Sequence, residues 1–323
     1  KGTLTINHTN SATNRLITLS DTATINIPTG NVTFQSAISG SGVLVKKGGG
    51  QININYGGAN NYSGTILNGG TLSQGAWNAT IGKSGSPLHV TGNSSLTIFN
   101  NNSTSAVPTI SNAITIDKGK TLTVNGGQRC KMQGSLKGEG TLKISFPYVR
   151  GDFSTNLSNF SGTLNPTSGQ FRLTSGMNMS NGTFTPGPGV YAVGVVSQGG
   201  NESSYTHKIG ALSSTATDCT LSTSVWNVGY LGTNTTFSGV VNSSATLNKY
   251  GEGTLSLTGS SSGAMNVFEG TLSLENNSSA TTTGLVKANN GGTVRGNGKC
   301  SSVTISKGGK LGAGKSSSIA VGT

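Results

Sequence analysis

Apolar residues return at every second position in short stretches along the whole chain. The clearest pairs are Leu4/Ile6, Ile52/Ile54, Leu96/Ile98, Leu122/Val124, Leu255/Leu257 and Val303/Ile305. A period of two places one face of a strand against a core and the other face in solvent. No stretch of about twelve residues carries a helical stripe free of Gly, Asn or β-branched interruptions. The pattern therefore predicts an all-β chain.

A turn phrase accompanies these strands and recurs through the sequence. Gly-x-Gly-Thr-Leu occupies 138–142 and 251–255, and shorter forms occur at 2–4, 70–72 and 270–272. Tyr/Phe-Ser-Gly accompanies it at 62–64, 160–162 and 237–239. A turn and a short strand repeated every 20–25 residues or so are typical of a solenoid. We therefore predict a parallel β-helix, a single elongated rod in which residues 1–323 form one continuous segment of a longer chain.

Residues 145–235 have the weakest alternation and hold most of the prolines. These are Pro147, Pro166, Pro186 and Pro188. Because proline cannot donate a hydrogen bond to a strand ladder, we expect less regular rungs and longer loops here. A specialised site on the rod is expected in this region first.

Charged residues are scarce, and bases outnumber acids. The chain has 21 Lys and Arg against nine Asp and Glu, which gives a net charge of +12. The bases are scattered, as at Lys46 and Lys47, and few aromatic residues lie between them for base stacking. Nucleic-acid binding is therefore not expected. A diffuse positive surface suits an anionic polysaccharide better, and a merely solvated exterior is the simpler interpretation.

Three cysteines, Cys130, Cys219 and Cys300, are separated by several turns of the predicted solenoid. Strands of successive turns lie about 4.8 Å apart, so these thiols are too distant for a disulfide. We expect small buried side chains instead. No Cys or His spacing matches a metal site, and no cofactor is predicted.

The nine acidic residues give no catalytic pattern. Glu139 and Glu252 occupy the same slot of the turn phrase and are interpreted as turn residues. Glycan-cleaving enzymes need converging carboxylates, and no Asp-x-Asp or Asp-Asp pair occurs. Carboxylates from different rungs could still converge, so a polysaccharide lyase or hydrolase stays as a third alternative. No catalytic residue is assigned.

Exposed aromatic and basic side chains would favour binding of a glycan or another partner. The candidates are Tyr148, Arg150, Tyr191, Tyr205, His207, Lys208, Trp226 and Tyr230. Spacing does not show which of the aromatic residues are exposed, and a buried stack inside the helix is favoured over an exposed face.

Residues 39–72, which run from Ser39-Gly40-Ser41-Gly42 through Asn60-Asn61-Tyr62-Ser63-Gly64 to Asn68-Gly69-Gly70-Thr71-Leu72, resemble an autotransporter-associated β-strand repeat. The same pattern returns at 236–274, and 292–314 resembles the close of such passenger regions. The resemblance implies a right-handed parallel β-helix that is secreted or displayed on a bacterial surface. Repeats of that family are scaffold, and they coexist with adhesins, toxins and hydrolases.

The sequence thus predicts an extracellular structural or adhesive stalk, a passenger segment without enzymatic activity. The alternative is a module that binds anionic glycans. Expected partners are the chain itself, by lateral or end-to-end association, or host and extracellular glycans. No apolar run reaches the length of a transmembrane helix, about 18 residues.

Overall fold

The computed structural model describes residues 2–7, 9–101, 103, 105–146, 151–196, 200–276, 281–312, 314 and 320–321. Within these ranges the chain forms β-strands joined by turns and bends, without a helix. The strand ladders are parallel, and each strand pairs with its counterpart in the next turn of the chain. The predicted all-β parallel β-helix is therefore confirmed. The chain divides into two compact units, Lys1–Gly162 and Thr163–Thr323. That residues 1–323 form one continuous rod stays a prediction.

Unit 1 is a stack of short parallel strands. Its strands are β1 (Gly2–Thr5), β2 (Asn10–Thr13), β3 (Ile17–Thr18), β4 (Ala23–Asn26), β5 (Asn31–Phe34), β6 (Ile38–Ser39), β7 (Val43–Lys47), β8 (Gln51–Ile54), β9 (Gly64–Gln74), β10 (Pro87–Ile98), β11 (Thr109–Ile110), β12 (Ala113–Ile116), β13 (Thr121–Gly126), β14 (Cys130–Met132), β15 (Ser135–Gly138), β16 (Thr141–Ser145), β17 (Gly151–Phe153) and β18 (Asn156–Phe160). One face runs β1-β4-β7-β9-β10-β12-β15-β18, and a second runs β2-β5-β8-β9-β10-β13-β16. Strands β11, β14 and β17 form part of a third face.

Unit 2 repeats this construction. Its strands are β19 (Thr163–Ser168), β20 (Gln170–Leu173), β21 (Asn178–Phe184), β22 (Tyr191–Gly194), β23 (Thr206–Leu212), β24 (Thr220–Leu221), β25 (Ser224–Val228), β26 (Thr235–Phe237), β27 (Val240–Val241), β28 (Ala245–Lys249), β29 (Thr254–Leu257), β30 (Ala264–Val267), β31 (Gly270–Leu274), β32 (Thr281–Thr282), β33 (Val286–Ala288), β34 (Gly292–Gly296), β35 (Lys299–Cys300), β36 (Val303–Ile305), β37 (Lys310–Leu311) and β38 (Ala320–Val321). One face runs β21-β23-β25-β28-β30-β33-β36. A second face is the five-stranded sheet β26-β29-β31-β34-β37.

Hydrogen bonds between neighbouring turns show the length of the repeat. In unit 1, Asn26 reaches Thr5 across 21 residues. In unit 2 the separation falls to 18 residues between Asn248 and Asn266. It rises to 30 residues between Met177 and His207, within the stretch predicted to be less regular. The loops and, in the pairing of β21 with β23, a shift of register between Met179 and Thr183 therefore absorb the differences in length.

Ladders of apolar side chains fill the interior of each unit. In unit 1 the register aligns Ile52, Leu72, Leu96, Val124 and Ile144, and all five are buried. Burial of one such side chain contributes about 1.5–3 kcal/mol. Since each rung covers the next, the stability of the stack is roughly a sum over neighbours. The alternation seen in the sequence places these residues inside.

Two lysines lie in the interior at corresponding corners. The ammonium group of Lys46 donates to the carbonyl oxygens of Lys47, Gly48 and Gly69, at 3.0, 2.7 and 3.2 Å. Three N–H donors thus meet three main-chain acceptors. Burial lowers the pKa of Lys46 to about 8. The expectation that the scattered bases form a solvated exterior is wrong for Lys46, because the turn supplies buried carbonyls that need donors.

Lys249 repeats the arrangement in unit 2. It donates to the carbonyl oxygens of Tyr250, Gly251 and Glu269, at 2.7, 2.6 and 3.3 Å. Burial lowers the pKa of Lys249 to about 8, and the Glu269 carboxylate opposes the shift. Both lysines open the spacing Lys-x-Gly-x-Gly, at 46–50 and 249–253. This spacing is the sequence signal for the buried lysine.

The three cysteines are buried and carry free thiols, as predicted. Burial raises the pKa of the Cys130 thiol to about 12, and the charge of Asp152 adds to the effect. These thiols are therefore protonated packing groups. Over the described ranges, the chain contains no helix with the length and apolar character needed to cross a bilayer.

Candidate functional site

Two of the eight candidate binding residues lie in the interior of unit 2, and two others, Tyr148 and Arg150, lie outside the described residues. His207 and Trp226 have no exposed area, and their ring centroids are 4.4 Å apart. Trp226 also stacks on Phe184 at 6.0 Å. The preferred interpretation of a buried aromatic stack is confirmed for Trp226. The predicted binding role at the surface is wrong for both residues, because a ring without exposed area cannot contact a glycan.

The burial of His207 also determines its protonation. Its Nδ1 accepts a hydrogen bond from the main-chain N–H of Met177 at 3.0 Å. Its Nε2 and the indole nitrogen of Trp226 have no hydrogen-bond partner among the described residues. Burial lowers the pKa of His207 to about 4. The imidazole is therefore neutral near pH 7 and belongs to the core.

Tyr191 joins a network of hydroxyl groups around the Glu202 carboxylate. The phenol donates to Glu202 Oε1 at 3.1 Å and lies 2.7 Å from Ser222 Oγ, while the Thr223 hydroxyl donates to Oε2. Ser222 in turn contacts Ser244 at 3.0 Å. Thr223 has a φ of 31°, and it is the one non-glycine residue in the described ranges with positive φ. Both carboxylate oxygens are therefore engaged within the chain, and the network fixes the loop around Glu202.

Tyr205 and Tyr230 make different kinds of contact: Tyr205 makes a hydrogen bond, and Tyr230 stacks on another ring. The Tyr205 hydroxyl donates to the carbonyl of Val195 at 3.1 Å, which ties it to the chain after β22. Tyr230 is exposed and stacks on Tyr250 at 5.2 Å, and Tyr250 stacks on Phe268 at 5.0 Å. This stack covers both faces of Tyr250 and one face of Tyr230. The binding role predicted for Tyr230 stays a prediction.

Lys208 belongs to an outward row on one face of unit 2. The register aligns it with Asn227, Asn248, Asn266 and Lys287 on successive rungs. Asn248 Nδ2 donates to Asn227 Oδ1 at 2.8 Å, and Asn266 Nδ2 donates to Asn248 Oδ1 at 2.9 Å. The amides thus form a hydrogen-bonded ladder with a lysine at each end. The row is polar and mostly occupied by its own hydrogen bonds.

A groove of about 510 Å³ lies on the five-stranded sheet of unit 2. Hydroxyl groups dominate its lining, which consists of Ser213, Asn234, Thr235, Thr236, Thr254, Ser256, Glu275 and Arg295. The register places Thr236 beside Ser256, Ser256 beside Ser273, and Ser273 beside Arg295. These four residues therefore form one row across the sheet, with one residue from each rung, and neighbouring rungs are about 4.8 Å apart.

The two charged groups of this groove are arranged in different ways. Glu275 Oε1 accepts hydrogen bonds from the hydroxyls of Ser256, at 3.3 Å, and Ser273, at 2.9 Å. Arg295 is exposed, and its guanidinium group makes no hydrogen bond or ion pair in the described part of the chain. The carboxylate is thus oriented by the protein, while the guanidinium is available to an anion.

Unit 1 carries a larger groove, of about 540 Å³, without a charged group in its lining. Amides and hydroxyls such as Asn53, Thr97 and Asn125 line it, together with the half-buried Phe99. Gln74 is buried there and donates to the carbonyl of Ala79 at 2.6 Å. This lining can exchange hydrogen bonds with a neutral polar ligand, but it offers no ionic contact.

The carboxylates of the described residues form pairs but no larger ligating cluster. No cluster of three His, Cys, Asp or Glu side chains suited to a metal ion occurs in those ranges. Glu139 pairs with Lys118 at 3.1 Å on the surface, and His89 pairs with Asp117 at 2.6 Å.

The sequence did not single out the groove residues of unit 2. Their signal is the alignment of the repeats, which places Thr-x-Ser at 254–256 and 271–273 and Thr-x-Arg at 293–295. Against these repeats, Arg295 is the exception in a position otherwise held by serine. Comparison of the chain with models of protein families, with curated proteins and with solved structures gave no match.

Proposed function

We propose that this chain is an extracellular scaffold segment without enzymatic activity, a structural or adhesive stalk of a bacterial surface or secreted protein. The observation that carries the proposal is the division of each rung, with apolar ladders inside and rows of Ser, Thr and Asn outside. The resemblance to passenger repeats supports the location. In this role the apolar interior keeps the stack of rungs rigid, and the outward rows of polar side chains form the surface that contacts partners.

The location can be tested on intact cells of the source bacterium. An antibody raised against the purified chain should label cells that have not been permeabilised, or detect the chain in the medium. Labelling only after permeabilisation would contradict an extracellular role. An antibody against a cytoplasmic protein serves as the control for intact cells.

The absence of enzymatic activity is tested separately. Purified chain is incubated with acidic and neutral polysaccharides, and reducing ends and unsaturated ends are followed over time. We expect no increase above the heat-inactivated chain. A time-dependent increase would support the third alternative, a polysaccharide-cleaving enzyme.

A second candidate function is binding of anionic glycans. Exposed basic side chains favour it, since Lys137, Lys143, Lys208, Arg295 and Lys310 all lie on outward positions of strands. Self-association is the other proposed partnership. Sedimentation velocity over a range of concentrations tests it, and a mass that stays at that of the monomer would count against it.

A further inference from the structure

We infer that the groove on the five-stranded sheet of unit 2 binds an acidic glycan in which a carboxylated sugar alternates with a neutral one, with Arg295 holding the carboxylate. This inference rests on the second candidate function, glycan binding, and assigns it a place and a ligand class. It uses three features of one surface: a guanidinium group without a partner among the described residues, a carboxylate oriented by serines, and a row of hydroxyls that leads up to the arginine.

Arg295 supplies the anion contact. A guanidinium group offers a planar fork of N–H donors that matches a carboxylate, and the exposed side chain has no competing acceptor among the described residues. The neighbouring outward row ends at Lys310, which pairs with Thr293 on the adjacent strand and is also exposed. This second cation increases the positive potential at the same end of the sheet.

Glu275 determines which sugar can lie next to the glycan carboxylate that Arg295 holds. Ser256 and Ser273 hold one of its oxygens, so the remaining acceptor positions face a ligand in a fixed direction. An ionised carboxylate accepts hydrogen bonds and donates none, so it suits the hydroxyls of a neutral sugar. It also repels a second negative charge nearby. The groove therefore favours a glycan with spaced carboxylates over a densely sulfated one.

The hydroxyl row extends this contact along the groove. Thr236 and Ser256 lie on neighbouring rungs, about 4.8 Å apart, which is close to the length of one sugar residue. The Thr236 hydroxyl can donate and accept, while the Ser256 hydroxyl, whose proton goes to Glu275, can accept from a sugar hydroxyl. The groove thus presents polar contacts at the repeat of an extended saccharide chain, with the ionic contact at one end.

The test is titration calorimetry with defined oligosaccharides. The probe alternates glucuronic acid with N-acetylglucosamine, and the comparison ligands are the same oligosaccharide with its carboxyl groups reduced to alcohols and a heparin fragment of equal length. The proteins are the full chain, Arg295→Gln, Glu275→Gln and, as a matched control, Arg15→Gln. Arg15 is an exposed arginine of unit 1, outside the groove. Equal thermal midpoints of the four proteins establish that each is folded.

We expect the probe to bind the full chain and Arg15→Gln equally, and Arg295→Gln about tenfold or more weakly, as for a lost hydrogen bond to a charged group. The carboxyl-reduced ligand should bind weakly and with no difference between the full chain and Arg295→Gln. Glu275→Gln should bind heparin more tightly than the full chain does.

Three results would overturn the inference in distinguishable ways. Equal binding of the probe by the full chain, Arg295→Gln and Arg15→Gln would remove the groove assignment and leave glycan binding in place. No binding of any of the three ligands by the full chain would remove the glycan-binding function together with the groove, and would leave the scaffold role. A preference of the full chain for heparin over the probe would contradict the ligand class.

Discussion

The side-chain nitrogen of Lys249 lies 2.6 Å from the carbonyl oxygen of Gly251 and 3.3 Å from that of Glu269, which belongs to the next turn of the chain. One lysine thus satisfies main-chain acceptors from two rungs at a corner where the strand ends. Lys46 has the same relationship to Gly48 and Gly69 in unit 1. Two such corners, distant in sequence, show that a buried lysine is part of the repeat.

Replacement of these lysines tests their role. Lys46→Met or Lys249→Met removes the ammonium donor from carbonyl oxygens of two rungs and should lower the free energy of unfolding by about 1–3 kcal/mol at pH 7. Lys47→Met is the matched control, because Lys47 is exposed and its side chain should matter little. Urea unfolding followed by circular dichroism measures the difference. Equal losses for Lys46→Met and Lys47→Met would contradict the role of the buried ammonium group.

The same lysines predict a dependence of stability on pH. Their pKa is about 8 in the folded chain, below the ordinary value of 10.5, because burial disfavours the charged form. Between these values the unfolded chain binds more protons, so the free energy of unfolding should rise with pH. Urea midpoints from pH 8 to about 10, where tyrosines begin to ionise, measure the rise. The double variant Lys46→Met/Lys249→Met should lose this rise, and a rise that persists in it would assign the effect to other groups.

Gly251 lies at the corner closed by Lys249 and has a φ of 71°. A methyl group there would collide with the carbonyl oxygen of Gly229, on the neighbouring rung. Gly251→Ala should therefore destabilise unit 2 by more than the roughly 1 kcal/mol of an unfavourable φ alone. Gly85→Ala is the control, because Gly85 has a φ of 73° with open space around it. The difference between the thermal midpoints of the two variants measures the part of the destabilisation that comes from the close contact with the neighbouring rung.

Trp226 is the largest side chain of the interior stack. Trp226→Ala removes its contacts with Phe184 and His207 and should cost about 3–5 kcal/mol. Trp77→Ala is the matched control, because Trp77 is 48% exposed. Urea unfolding compares the two. A similar loss for both variants would contradict the assignment of Trp226 to the core.

His207 predicts a second effect, on the acid side. Its pKa is lowered by burial from 6.5 to about 4. The unfolded chain then binds more protons between these values, so the contribution of His207 to stability should be constant above pH 6.5 and fall as the pH drops toward 4. Nuclear magnetic resonance of the imidazole protons should show a midpoint near 4. A midpoint near the ordinary value would mean that the ring is accessible to solvent.

The asparagine ladder of unit 2 depends on the donors of its amides. Asn248→Asp places a carboxylate next to Asn227 Oδ1 in place of the donating nitrogen and should cost about 1–3 kcal/mol. Asn234→Asp should cost much less, because Asn234 only accepts, from the main-chain N–H of Thr254 at 2.8 Å. Thermal midpoints at pH 7 compare them. Equal effects would show that the ladder is not held by its side-chain amides.

Some of this molecule follows directly from the alternation of its residues. The pairs Ile52/Ile54 and Leu96/Ile98 point inward as the period of two requires, and the turn phrase leads into β16 at Thr141 and into β29 at Thr254. The alternation even places His207 on the same side of its strand as Ile209. The polarity of an imidazole nevertheless favoured a surface role, and that part of the prediction was wrong.

The candidate site was harder to predict, because its residues come from different turns. The groove joins Thr236, Ser256, Glu275 and Arg295, which are about one turn apart from one to the next. No local pattern shows that these positions share one surface, since the register between rungs is set by the whole stack. The candidates taken from 145–235 were chosen by residue type, and residue type does not determine exposure.

The sequence by itself determined that this chain is built of parallel strands in repeated turns, because a period of two and a recurring turn leave one way to bury the apolar face. Only the tertiary structure decided which polar residues lie inside. Lys249 is interior because a carbonyl about one turn further along the chain comes within reach of its ammonium group, and Arg295 is exposed because its position faces outward beside a row of hydroxyls. Both outcomes depend on the register between rungs, which exists only once the rungs have stacked.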